Sequence, residues 1–199
     1  MDEVRLHSPA AMRNRDAILA VLRDALPASG RLLEIASGTG EHVVHLAAAF
    51  SGWMFQPSDP DAARRASIDA RARDGGLANI RPALDIDTTR LDWGIAAADA
   101  VLCSNMIHIA PWPAALGLIA GAARILPTGG RLFLYGPFRR DGRHTADSNA
   151  AFDADLRLRD PDWGIRDLEA VAAAARVAGF GSPDVTAMPA NNLVVMFQR

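Results

Sequence analysis

Arg31-Leu32-Leu33-Glu34-Ile35-Ala36-Ser37-Gly38-Thr39-Gly40-Glu41 holds a strand, a turn and the start of a helix in one short stretch. Residues 31–36 form the brief apolar run of a buried strand, and a helix is expected from 41 to about 50. Between them, small residues let a ligand approach the backbone, and the amides at the head of the helix favour polar or anionic groups. The same rhythm continues on either side. Upstream, Met12, Ala17, Ile18, Val21, Leu22 and Leu26 recur at helical spacing and predict a helix over 10–27, closed by Pro27 and Gly30. Downstream, strands are expected at 53–57, 80–84, 98–104 and 131–135, and helices at 60–73, 113–126 and 166–178.

Strands that alternate with helices build a parallel sheet covered on both faces. The tail departs from this pattern. Strands at 183–188 and 193–198 are joined only by Pro189-Ala190-Asn191-Asn192, which is too short for a crossover helix and makes an antiparallel hairpin. The expected architecture is therefore α/β, a three-layer sandwich around a mostly parallel seven-stranded sheet with an antiparallel C-terminal strand. One domain over 1–199 is expected, with its least regular stretch, about 138–163, where a lid or substrate segment would lie.

Composition narrows the chemistry. The 199 residues carry 21 basic and 23 acidic side chains, a formal charge of −2, and 50% are hydrophobic, enough for a sizeable core. There is no lysine, so every basic side chain is an arginine, which excludes Schiff-base lysine chemistry and the P-loop lysine. Cys103 is alone, with no internal disulfide and no Cys-x-x-Cys pair for zinc, and no metal is expected. Met1-Asp2-Glu3-Val4 lacks a signal-peptide profile, and the uncharged stretch 109–123 is broken by Pro111 and Pro113. A soluble cytoplasmic protein with no membrane partner is expected. Near-zero charge, with only the cluster Arg139, Arg140 and Arg143, argues against a nucleic-acid partner.

The turn itself fits a dinucleotide poorly, because Val43 stands at the third glycine position counted from Gly38. An acid ahead of it, Glu34, suits a cationic ligand, although it can also serve as a helix-cap partner. Asp59 follows Gly40 by 19 residues, where nucleotide-binding sheets place a carboxylate for ribose hydroxyls, and it can equally cap the helix beginning at Pro60. Asp85 ends the third strand and can accept from an adenine amino group while the Ile86 backbone reads the ring edge; Asp87 competes for that role. Three acids at the carboxyl ends of three successive strands point to one crevice.

These features resemble the class I S-adenosyl-L-methionine-dependent methyltransferases. The resemblance rests on Glu-x-Ala-x-Gly-x-Gly at 34–40, on Asp59 and Asp85, on Ser104-Asn105-Met106-Ile107-His108 and on the terminal hairpin, with Ala36 replacing the usual first glycine. Arg13-Asn14, Asn105-Met106-Ile107-His108, Tyr135-Gly136-Pro137-Phe138 and Ser148-Asn149-Ala150-Ala151-Phe152-Asp153 are similar to the branch called methyltransferase-like 26, domain of unknown function 938. The resemblance implies a Rossmann-like fold and S-adenosylmethionine as cofactor. It places the cofactor on Glu34, Ala36, Ser37, Gly38, Thr39, Gly40, Asp59, Pro60, Asp85, Ile86 and Asn105. Arg13 and Asn14 would fold over it, the guanidinium pairing with its carboxylate.

Methyl transfer from a sulfonium is an in-line displacement, so positioning carries much of the catalysis and a base is needed only where the acceptor loses a proton. His108, after the fourth strand, is the candidate base by its near-neutral pKa, the alternative being a packed ring bonded to backbone. Tyr135 on the same rim can touch the sulfonium or the acceptor, or simply fill core. Met106, Asn149, Asp153, Arg157, Asn191 and Asn192 are candidates for contact with substrate. Asn149, Asp153 and Arg157 recur every four residues, as either a pocket wall or an exposed ion-paired face, and Ser148 is a plausible cap for their helix. Asn191 and Asn192 overhang the rim if the last strand is antiparallel, although asparagine also favours turns. The expected activity is methylation of an O, N or S atom of a small molecule. Methylation of a protein or RNA, and a non-catalytic cofactor-binding sensor or partner protein, are the alternatives. A monomer and a homodimer both remain open.

Overall fold

A computed structural model describes residues 5–199; the reading of Met1-Asp2-Glu3-Val4 lies outside the described residues. The chain runs α1 (Pro9–Ala25), β1 (Gly30–Ile35), α2 (Glu41–Ala49), β2 (Trp53–Pro57), α3 (Ala62–Asp74), β3 (Ala100–Ser104), α4 (Trp112–Ile125) and β4 (Arg131–Gly136). It continues with β5 (Arg139–Arg140), β6 (Arg143–His144), α5 (Asp147–Arg159), α6 (Leu168–Val177), β7 (Asp184–Met188) and β8 (Asn192–Gln198). The sheet order is β2-β1-β3-β4-β8-β7, with β2, β1, β3 and β4 parallel and β8 antiparallel to both neighbours.

Alternation along the central strands sends side chains to two cores. Leu33, Ile35, Val101, Cys103, Leu132 and Leu134 meet Leu118, Ile119 and Ala122 of α4 and Val171 and Ala175 of α6. On the other face Leu32, Leu102, Phe133 and Tyr135 meet Ile18 and Leu22 of α1, Val43 and Leu46 of α2 and Ile68 of α3. The result is the expected α/β three-layer, Rossmann-like sandwich. Cys103 is buried in the first core, where burial pushes its thiol up to about 12. Among the described residues, no helix is long and apolar enough to cross a membrane.

Among the described residues the sheet has six strands, not seven. At 80–84, where a strand was expected, the chain runs beside β2 but makes only the bridges Phe55↔Ile80 and Ser58↔Leu84. Phe55 donates to the Asn79 carbonyl and Arg81 donates back to Phe55, which begins a parallel ladder. Pro57 then offers no N–H to the Arg81 carbonyl. The Ala83 amide is drawn to Asp69 Oδ1, and the next bond to β2 comes from Leu84. The stretch 138–163 holds the small β5–β6 hairpin and α5. Ser148 is not the cap of α5, because the N-cap position falls on Ala146.

Candidate functional site

β1 ends in a turn held in left-handed backbone, with φ 55° at Ala36, 59° at Gly38 and 87° at Gly40. A Cβ on Gly40 would meet Ile68 Cα at 2.9 Å, so only glycine lets this turn seat on α3. Over Gly38 a Cβ would meet nothing within 4 Å: the turn faces open space. Asp59 ties the turn to the end of β2, accepting from the Gly38 amide through Oδ2 and the Asp61 amide through Oδ1, both at 3.0 Å. It does not cap α3; Asp61 does, accepting from the Ala63 and Arg64 amides. Asp59 is 1% exposed, and Arg64 Nη1 lies 3.8 Å from its Oδ2. Burial raises its pKa, against the pull of those two amides and of Arg64.

Glu34 lies beneath the turn. It is 1% exposed, and its Oε2 is buried with no hydrogen-bond partner. Burial pushes its pKa up to about 8, against the opposing pull of Ser37. It makes no helix cap. Its Oε1 lies 3.9 Å from His42 Nδ1. Asp85 stands apart from this pair, half-exposed and 3.6 Å from Arg65, whose guanidinium also donates to the carbonyls of Asp59 and Pro60. Ile86 is buried next to it. Asp87 is occupied otherwise, closing a local turn on the amide and hydroxyl of Thr89.

Beyond the ends of β3 and β4 opens a cleft of about 780 Å³. Its walls are Ala10, Arg13 and Asn14 of α1, Asn105 and Ile109 after β3, and Tyr135 and Pro137 from β4. Ser148, Asn149 and Phe152 of α5 and Pro189, Ala190 and Asn192 of the terminal hairpin complete them. Thus Arg13, Asn14, Asn105, Tyr135, Asn149 and Asn192, far apart in sequence, share one cavity. Asn191 works as a tie beside it: its carbonyl accepts from Asn149 Nδ2 at 3.0 Å and its amide donates to Ser148 Oγ at 3.2 Å. The apolar lining at Ile109, Pro137 and Phe152 was missed in the sequence, where the only signal is adjacency to the polar candidates.

Four candidates lie elsewhere. His108 is fully buried behind the cleft wall, not on it. Its Nδ1 accepts from the Arg166 amide at 3.3 Å, and its ring meets Phe138 edge-on with centroids 5.1 Å apart. Its Nε2 is buried without a partner, packed so closely that a Cβ on Gly136 would meet it at 2.6 Å. Burial, then Arg166, drives its pKa down to about 3, so the ring is neutral and poorly basic. Met106 packs against the core. Asp153 accepts from the Ile165 amide at 2.6 Å and from Arg157 Nε at 3.1 Å, so both residues brace the chain between α5 and α6. A four-residue spacing drifts by about 40° per step around a helix, which turns Asp153 and Arg157 away from the cleft that Asn149 faces.

Fold and crevice together define a Rossmann-like α/β protein with a ligand cleft at the carboxyl ends of its parallel strands. Residues 5–199 match the family described as "Protein of unknown function (DUF938)", and the chain belongs to that family. In structure it is similar to an O-methyltransferase family protein from Burkholderia thailandensis, with TM-score 0.80 and 18% identity over 96% of this chain and 57% of that one. It is also similar to an O-methyltransferase family 2 protein from Planctomyces limnophilus, solved with apigenin, at TM-score 0.76 and 19% identity over 100% and 62%. Human N-acetylserotonin methyltransferase, solved with S-adenosylmethionine, gives TM-score 0.78 and 11% identity over 96% and 52%. At these identities the likeness is one of fold, and the chain spans little more than half the length of these proteins.

Proposed function

We propose that this protein transfers a methyl group from S-adenosylmethionine to an oxygen, nitrogen or sulfur atom of a small-molecule acceptor. The observation that carries this reading is Glu34: a buried carboxyl with one oxygen unpartnered, beneath a glycine turn that faces open space. A carboxyl so placed is destabilised as an anion until a cation reaches it. The ammonium of the cofactor's methionine end fits that requirement, the Asp59 carboxylate at the end of β2 suits ribose hydroxyls, and the Arg13 guanidinium fits a carboxylate. The cofactor-bound human structure of the same fold supports the assignment.

Bound there, the cofactor supplies a sulfonium methyl open to in-line displacement. The chain's contribution is positioning. Asn105 stands where β3 meets the cleft, and Asn14, Tyr135, Asn149 and Asn192 offer neutral donors and acceptors around it. Ile109, Pro137 and Phe152 add apolar surface, so the cleft suits a small molecule of mixed polarity. His108 takes no part in proton transfer.

Calorimetric titration with S-adenosylmethionine and S-adenosylhomocysteine tests the cofactor. Both bind. Because the cation draws Glu34 into its ionised form, protons are released and affinity rises from about pH 6 to about pH 7.5. Glu34→Gln abolishes the proton release. Absence of binding by either compound would overturn the reading, and label from methyl-labelled cofactor appearing only in lysate macromolecules would overturn the small-molecule acceptor.

A further inference from the structure

We propose that Glu41, the first residue of α2, is a positioning residue that fixes the cleft end of α1, and with it Arg13, against the glycine turn; the inference rests on reading Arg13 as the partner of the cofactor's carboxylate. Glu41 is 6% exposed, and its two oxygens accept from separate parts of the chain. Oε2 takes the Ser8 amide and the Thr39 hydroxyl, both at 2.9 Å. Oε1 takes His7 Nδ1 at 2.6 Å and Arg71 Nη2 at 3.4 Å. A carboxylate offers about four acceptor sites, so these donors fill Glu41 and leave nothing for a ligand. Its role lies in what it joins. Thr39 stands between Gly38 and Gly40 in the turn, and α3 grips its carbonyl through Ser67 Oγ and Arg71 Nε, both at 3.0 Å. The same two side chains hold the segment ahead of α1: Ser67 Oγ accepts from the Leu6 amide at 2.9 Å, and Arg71 Nη2 donates to the Leu6 carbonyl.

Arg13 depends on this clasp because packing grips α1 farther along. The buried residues of the helix are Ala11, Ile18, Leu19 and Leu22, so the core holds it mainly from Ile18 onward. Ahead of that point polar contacts steer it: Glu41 Oε2 on the Ser8 amide, and His42 Nε2 on Asn14 Oδ1 at 2.7 Å. Ser8 is the cap of α1, its hydroxyl accepting from the Ala11 amide at 3.2 Å, so the bond from Glu41 acts on the first turn of the helix. Arg13, on the cleft wall, follows Ser8 by roughly 7.5 Å along the helix axis. A shift at the cap is therefore carried to its guanidinium. The turn itself does not hang on Glu41 alone, since Asp59 holds the Gly38 amide and Ser67 and Arg71 hold the Thr39 carbonyl.

5′-Methylthioadenosine keeps the adenosine and sulfur of S-adenosylhomocysteine but lacks its amino-acid end, so it reports on the site without Arg13. Glu41→Leu is expected to weaken S-adenosylhomocysteine about tenfold, the size of one hydrogen bond to a charged group, and to leave 5′-methylthioadenosine unchanged. Arg13→Met weakens S-adenosylhomocysteine as much, and the double variant is no weaker than either single one. Glu41→Gln keeps an oxygen for Ser8 and Thr39 and turns its N–H groups toward His7, so it restores most of the wild-type affinity. Unchanged S-adenosylhomocysteine affinity in Glu41→Leu, an equal loss for both compounds, or losses in Glu41→Leu and Arg13→Met that multiply in the double variant would each overturn the proposal. Should Glu41→Leu not fold, amide exchange in the wild-type protein decides: S-adenosylhomocysteine slows residues 8–14 and 5′-methylthioadenosine does not, and equal slowing overturns it. A wild-type protein that binds neither compound would overturn the cofactor reading and this inference with it, whereas each outcome above leaves that reading standing.

Discussion

Asn105 shows how one side chain joins fold to site. Its amide donates to the Tyr135 carbonyl at 2.8 Å, continuing the β3–β4 ladder, and its carbonyl accepts from His108 at 3.0 Å, starting the next turn. Between these bonds the residue sits at φ 62°, left-handed backbone that asparagine tolerates better than other residues with a Cβ. The same geometry sets its amide on the cleft wall. Substitutions separate the two roles. Asn105→Gly keeps the turn and loses the amide, so S-adenosylhomocysteine binds more weakly while the fold holds. Asn105→Ala loses the amide and strains the turn, and is less stable than Asn105→Gly by about 1 kcal/mol. Urea midpoints of the two variants check this, and identical midpoints would remove the backbone argument.

Between elements, what the sequence conceals is distance along the chain. The β1 turn, the acids and the antiparallel tail are legible because each is a local pattern: a strand running into small residues, a carboxylate at a strand end, a link too short for a helix. His108 is not, because the groups that bury it come from Gly164 and Arg166, whose amides bond its carbonyl and its Nδ1. No local pattern announces that contact. The seventh strand fails in part for a reason present in the sequence, since Pro57 removes the donor that would face the Arg81 carbonyl, but the other loss, of the Ala83 amide to Asp69 of α3, has no local signal. Arg166 is the main tie between the β3–α4 turn and the α5–α6 connection. Its guanidinium donates to the Ile107 carbonyl at 2.8 Å and to Ala110 at 2.6 Å, and lies over Trp112 at 5.8 Å. Arg166→Met keeps much of the stem packing and removes the donors, which leaves the carbonyls of Ile107, Ala110 and Asp162 without that partner. The expected result is a loss of about 1–3 kcal/mol, with faster amide exchange confined to residues 106–110 and 160–167. Uniformly faster exchange would mean that Arg166 supports the whole sheet instead.

Across the whole molecule, folding holds neutral three groups that water would ionise near neutrality. Glu34 is raised from 4.5 to about 8, while His42 and His108 are lowered from 6.5 to about 4 and about 3. Below pH 6.5 the unfolded chain protonates both imidazoles and the native protein does not, so stability falls as acid is added. Asp153, held low by the Ile165 amide and Arg157 despite its burial, adds to this acid limb. From 4.5 upward the unfolded chain loses the Glu34 proton that the native protein keeps, so this group alone makes stability fall with rising pH until about 8. In the interval 4.5 to 6.5 the two histidines outweigh the one carboxyl, and above 6.5 the carboxyl outweighs the fading imidazole protonation of the unfolded chain. Stability therefore peaks near pH 6.5 and declines by about 1 kcal/mol toward pH 8. Calorimetric melting across this range measures both limbs. Glu34→Gln should flatten the alkaline limb and leave the acid limb in place, and His108→Phe should make the acid limb shallower. Saturating S-adenosylhomocysteine, by bringing a cation to Glu34, should also erase the alkaline limb; an alkaline decline that persists in the Glu34→Gln variant would assign it to other groups.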